Sequence, residues 1–217
     1  LEIEIQGEGG HASLPPKRTA LMELAEALSA MNGKAFAAKL APPISNMIDA
    51  LLPTMAFRHR MLYANRFCTL PLLIRRLEKN AQTNAWIRST AALTTAEGSP
   101  QPNVLPRHAR ATFNVRTAPW DDAQEIGRRI VRRVQKRHKG GEMRIISTLM
   151  DASPVSALEG DAKALLFDTV AACFPEAIPV PSLMLGGTDA THFCALFASV
   201  YRFSPFRSYQ RLPPIHI

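Results

Sequence analysis

Residues 1–13 read Leu-Glu-Ile-Glu-Ile-Gln-Gly-Glu-Gly-Gly-His-Ala-Ser. Leu1, Ile3 and Ile5 alternate with Glu2, Glu4 and Gln6, the period-two pattern of a half-buried strand. Gly7, Gly9 and Gly10 end that strand and place His11 at its exit. A chain that opens inside a strand, at Leu1 rather than at a Met, is expected to be a segment of something longer.

Outward from this strand the period changes. Residues 19–31 carry Ala20, Leu24, Ala27, Leu28 and Met31 on one stripe, which predicts an amphipathic helix stopped by Asn32-Gly33. Residues 35–85 are apolar and punctuated by Pro42, Pro43, Pro53 and Pro71, and predict two or three short helices. Strands are expected at 85–96 and at 107–117, the latter with Ala111, Phe113 and Val115 on its inner face. A helix follows, with Asp121 as expected N-cap and Gln124 as its capping partner, and a stripe of Ile126, Ile130, Val131 and Val134. A strand at 143–149 completes the order β-α-(helical insert)-β-β-α-β. That is the split βαβ, ferredoxin-like arrangement, an α+β fold with helices on one face of an antiparallel sheet.

After residue 151 the pattern predicts a helix at 161–174, a strand at 178–185, a helical turn at 190–197 and a strand at 199–204. This stretch is too short for a core of its own and reads as the end of an α/β domain. The expected division is 1–150, with the insert at about 35–85, and 151–217.

Composition narrows the class. Hydrophobic residues at 47% and charged residues at 20% exclude a disordered chain. Cys68, Cys173 and Cys194 lack metal-finger spacing and are expected to be buried free thiols. No window predicts a membrane-spanning helix. The compartment is left open, with the cytoplasm marginally preferred.

The net charge of +8 comes mainly from two stretches. Residues 58–76 hold five arginines and no acid, and 121–139 hold seven Lys/Arg against three acids. A basic ferredoxin-like domain suggests RNA binding, but that module stacks bases on exposed aromatics of its central strands. Strand 107–117 offers only Phe113, on the apolar side, so a solvated basic face is the preferred reading.

Four short stretches could carry chemistry: Gly9-Gly10-His11-Ala12-Ser13, Asn103-Val104-Leu105-Pro106, Gly186-Gly187-Thr188-Asp189, and Tyr201-Arg202 with His216 near the chain end. Each alone reads as turn or terminus chemistry. In this order they resemble the dinuclear-zinc aminoacylase/carboxypeptidase family, in its Gly-X carboxypeptidase and N-acyl-amino-acid hydrolase branch. The resemblance implies that 1–150 is a lid and homodimerisation domain set into a catalytic α/β domain whose last part is 151–217.

By the same resemblance, His11 would stabilise the oxyanion in the partner subunit's active site, a place where an imidazole N–H supports charge that develops in the transition state. Asn103 would hydrogen-bond the substrate, Gly186, Gly187 and Thr188 would line its carboxylate pocket, and His216 would be the last zinc ligand. The branch often has Arg where this chain has Thr191, and Arg202 or His192 could substitute. The implied cofactor is a pair of zinc ions whose other ligands, with the general base, would lie before Leu1. The segment alone is therefore expected to be inactive. The implied substrate is an N-acyl amino acid or a C-terminal peptide bond. The rival readings are a non-catalytic homodimerisation module and, ranked below it, a nucleic-acid-binding domain.

Overall fold

The computed structural model describes residues 1–33, 36–138 and 140–204. The strand predicted at the chain start is β1 (Glu2–Gln6). It lies between β5 (His108–Arg116) and β6 (Met143–Ile146), and β3 (Thr90–Glu97) closes the other edge on β5. All three pairings are antiparallel, and the order β3-β5-β1-β6 is that of the split βαβ fold.

The alternation of β1 decides which face is covered. Ile3 and Ile5 are fully buried with Ala109, Ala111 and Phe113 beneath α1 (Ala20–Leu28) and α6 (Ala123–Arg137). Leu24 and Ala27 come from α1; Ile126, Ile130 and Val134 come from α6. Each buried isoleucine contributes about 2–3 kcal/mol of apolar transfer energy. The opposite face is polar. Glu4 stands opposite Arg110 on one neighbour and Arg144 on the other. Its carboxylate pairs with Arg110 and lies 3.5 Å from His108 Nδ1, so it is only 6% exposed although it is on the uncovered side.

Both helices have side-chain caps. Thr19 accepts from the Met22 N–H, and a 3-10 turn, Ser29–Met31, extends α1. On α6 the cap is Asp122, which accepts from the Glu125 N–H at 2.6 Å; the sequence pattern had favoured Asp121 and Gln124. Asp121 is engaged elsewhere. It accepts from Ser89 Oγ at 2.6 Å, and the same hydroxyl accepts from the Ala118 N–H, which ties the entry of β3 to the entry of α6.

Among the described residues the insert holds four α-helices rather than two or three: α2 (Pro42–Leu51), α3 (Phe57–Ala64), α4 (Arg66–Leu77) and α5 (Ala81–Trp86). Pro42 and Pro43 open α2, where a missing N–H is harmless. Pro71 lies inside α4 instead of ending it. Pro71 and Phe67, whose carbonyl loses its partner, both face solvent, so water can serve that carbonyl. The predicted start of β3 at 85 is also corrected. Asn80 caps α5 by accepting from the Gln82 and Thr83 amides, and the helix runs through Trp86 before the strand begins. Leu73, Leu77 and Ile87 form a second small core here. Arg88, buried, donates to the Phe36 carbonyl and pairs with Glu78, binding the insert to the sheet.

Beyond β6 the chain is loosely packed. In α7 (Asp161–Cys173) no residue is buried, and Leu165 is 71% exposed. The strands predicted at 178–185 and 199–204 do not form among the described residues, where only α8 (Ala190–Phe193) follows. A strand needs a ladder partner, and this stretch has none in the described structure. Side-chain bonds stand in for a ladder: Ser156 Oγ donates to the Val200 carbonyl and accepts from the Val200 N–H, both at 2.9 Å. The cysteines are likewise not buried as predicted. Cys68 sits on the solvent side of α4, Cys173 is exposed on α7, and Cys194 is half-buried.

Candidate functional site

After β1 the backbone turns at Gly9 and Gly10, with φ of 69° and 131°. These left-handed values suit glycine, and a Cβ at Gly9 would stand 2.6 Å from Arg107 Cγ. The turn lets β2 (Gly10–His11) pair with β4 (Val104–Leu105) in a short antiparallel ribbon. Gly10 faces Leu105 and His11 faces Val104. The Ala12 N–H then donates to the Asn103 carbonyl at 2.9 Å, and the Gly7 N–H donates to that of Arg107 at 2.8 Å. Two residues far apart in sequence, His11 and Asn103, are thereby held on one exposed ribbon.

The His11 ring is oriented by a residue that sequence reasoning left without a role. The Ser13 N–H donates to His11 Nδ1 at 3.2 Å, and Ser13 Oγ lies 2.8 Å from the same atom. When Nδ1 accepts from this amide, the N–H of a neutral ring is on Nε2. Nε2 makes no hydrogen bond among the described residues. The arrangement holds an exposed imidazole by its Nδ1 edge and leaves its Nε2 edge open among the described residues. The available signal was weak: a serine two residues after the histidine, at the offset where a side chain in a turn can meet the backbone N–H of residue i+2.

The second predicted cluster is on the loosely packed part. Arg202 Nε donates to Thr188 Oγ1 at 2.7 Å, joining two predicted substrate residues. Thr191 Oγ1 lies 3.0 Å from Ser153 Oγ, at the position where arginine was expected by resemblance. Gly186 and Gly187 are exposed, and a Cβ on either would meet nothing within 4 Å. Trp86 Nε1 donates to the Leu183 carbonyl at 3.1 Å, which anchors the stretch before these glycines to the insert. Among the described residues no hydrogen bond or ion pair joins the His11 ribbon to the Thr188–Arg202 pair. A shallow basic hollow between the end of α1 and α6, lined by Ser29, Asn32, Arg133, Lys136 and Arg137, shares no residue with either.

His216 lies outside the described residues. Among those described, no three His, Cys, Asp or Glu side chains converge on a point where a metal could sit. The donors among the described residues do not make up a zinc site, and what they offer chemically is N–H groups and cations.

The basic face of α6 is paired, in part, on its own helix. Arg128 and Arg129 both bond Glu125. The Arg128 bond first, and the Arg129 bond second, hold the Glu125 carboxyl below the ordinary carboxylate range. No helix among the described residues is long and apolar enough to cross a membrane.

Comparison with known proteins places the chain. Probable carboxypeptidase S-like 2 of Dictyostelium discoideum is 28% identical over 207 residues, 94% of this chain and 39% of its own length. The human N-fatty-acyl-amino acid synthase/hydrolase PM20D1 is 32% identical over 214 residues, 94% of this chain and 41% of its own. The chain thus spans about two-fifths of these relatives. In fold it is similar to an M20 family metallo-carboxypeptidase, Sso-CP2 from Sulfolobus solfataricus, with a TM-score of 0.52 at 16% identity, over 88% of this chain and 53% of that one. Residues 1–142, which hold β1, β3 and β5 of the sheet, its two covering helices and the insert and stop just before β6, match the peptidase dimerisation domain of M20 peptidases, and the chain belongs to that family.

Proposed function

We propose that this chain supplies the lid and dimerisation part, at 1–150, and the end of the catalytic domain, at 151–217, of a zinc-dependent metallohydrolase. The reaction is cleavage of the amide of an N-acyl amino acid or of a C-terminal peptide bond. The support is the family of the chain and the names of its relatives, a carboxypeptidase S-like protein and an N-fatty-acyl-amino acid hydrolase. His216, outside the described residues, would be one ligand of the zinc in the full-length protein, which would supply Lewis-acid chemistry and an activated water.

The observation that carries this chain's own role is the Ser13–His11 bond. It presents Nε2–H as the donor for an oxyanion, a charge that exists only as the carbonyl is attacked. Placed on an exposed ribbon with no hydrogen bond to the Thr188–Arg202 pair among the described residues, His11 would serve the partner subunit of a homodimer. Asn103 on the same ribbon would hydrogen-bond the substrate, while Gly186, Gly187, Thr188 and Arg202 would receive its carboxylate.

The test uses the full-length enzyme. His11→Ala is expected to lower kcat by about 10²–10³-fold, the usual effect of deleting one oxyanion donor, with zinc content and dimer mass unchanged. Undiminished turnover would remove His11 from the mechanism and favour a dimerisation module alone. No nucleic-acid role is proposed. Phe113 is in the core, and the uncovered sheet face presents Glu4, His108, Arg110, Thr112 and Asn114, with no Phe, Tyr or Trp on its strands among the described residues to stack bases.

A further inference from the structure

Helices α3 and α4 expose apolar surface that the fold does not use. On α3, Phe57, Met61 and Ala64 recur at i, i+4 and i+7 and are all exposed. At 100° per residue, Arg58 and Arg60 flank this stripe on either side. The other side of α3 is occupied: His59 Nε2 lies 3.2 Å from Arg76 Nη2, and Tyr63 packs on the Leu73–Leu77–Ile87 cluster. On α4, Leu73 and Leu77 are buried while Phe67 (87% exposed) and Leu72 (58%) face solvent, and the helix ends in Arg75 and Arg76. Between Phe57 and Leu77 there is no acidic residue. The Arg60 guanidinium lies 6.0 Å from the Phe57 ring centroid, so its stem stays along the apolar stripe.

Charge selects among the possible occupants of this surface. A second copy of the same face would set arginines against arginines. An apolar stripe between arginines matches an acidic bilayer surface, where phenylalanine and leucine enter the acyl boundary and guanidinium groups reach lipid phosphates. We propose that the α3–α4 helix pair is a docking surface for anionic lipid bilayers. The lid would then carry the enzyme onto membranes through its insert, independently of the chemistry at His11.

The test is flotation of the full-length protein with vesicles of phosphatidylcholine alone or mixed with phosphatidylserine. Partitioning is expected only, or far more strongly, onto the mixed vesicles, and added salt should weaken it. Arg58→Gln with Arg60→Gln should lower it about 30-fold, from roughly fivefold per cation near an acidic surface. Arg58→Lys with Arg60→Lys should retain it, which shows that the fold tolerates change here. Phe57→Gln with Phe67→Gln should also release the protein. Equal binding to both vesicle types, no binding, or binding unchanged in the glutamine variants would overturn the proposal. So would a fall in assembly mass in Phe57→Gln/Phe67→Gln without any vesicle binding, since the face would then be a protein interface.

Discussion

The Ser13 amide donates to His11 Nδ1 at 3.2 Å while the Ser13 hydroxyl lies 2.8 Å from the same nitrogen. Ser13 therefore holds the Nδ1 edge of the ring and with it the ring's angle. Ser13→Ala removes the hydroxyl and keeps the amide. In the full-length enzyme kcat should fall about fivefold, one net hydrogen bond's worth, far less than for His11→Ala. Steady-state kinetics with zinc content as control measures it; a loss equal to that of His11→Ala would mean that Ser13 acts otherwise.

Gly9 combines a φ of 69° with a Cβ position 2.6 Å from Arg107 Cγ. Gly9→Ala should destabilise the protein by roughly 1–3 kcal/mol, the range for strained left-handed backbone. The double variant with Arg107→Ala should recover the steric part and leave the backbone part. Thermal or urea unfolding of the three variants separates the two.

Ile3 is fully buried under α1 and α6, whereas Leu165 on α7 is largely exposed. Ile3→Ala should cost about 2–5 kcal/mol, and Leu165→Ala should stay within about 0.5 kcal/mol, as surface changes do. Comparable losses at both sites, read by chemical denaturation, would show that α7 is covered in the native protein.

Asp122 caps α6 and Asp121 does not. Asp122→Ala should cost about 1 kcal/mol through the orphaned helix amide. Asp121→Asn should act differently, by weakening the bond from Ser89 that joins two element entries. Amide exchange at Glu125 should quicken only in the first variant.

Glu125 is held below its ordinary pKa by Arg128 and then Arg129. A carboxyl depressed in the folded state contributes stability that is present above the unfolded value and lost as pH falls through the folded one. Wild type should exceed Glu125→Gln in stability at neutral pH, and the gap should close under acid. High salt should shrink it at any pH, because these groups are exposed.

Local pattern carried most of the lid. The period-two stretch 1–6, the stripe of α1 and the stripe of α6 all emerge where the residues placed them, because each buries its own apolar side against the other two. The errors have local causes. Asp121 and Asp122 are both capable caps, and only the distant Ser89 decides between them. The stretches at 178–185 and 199–204 were expected to be strands but have no partner within the described residues, and Pro179 and Pro181 in the first have no N–H for a ladder. His11 and Asn103 stood out as residues, but their proximity depends on pairing of two-residue strands too short to predict. Ser13 was in plain view and gained its meaning only from the direction of its N–H.

The register of β3 on β5 shifts between Leu93 and Thr95, and the skipped Thr94 turns its hydroxyl onto the Thr112 carbonyl at 3.1 Å. β3 is also an edge strand, mostly exposed from Ala92 onward. An edge with unbroken spacing is a template for indefinite growth, strand upon strand, into insoluble fibres. The offset at Thr94 breaks that spacing midway, so a foreign strand can match one half of the edge and not the other. The place of one threonine thus limits which strands can be added along this edge.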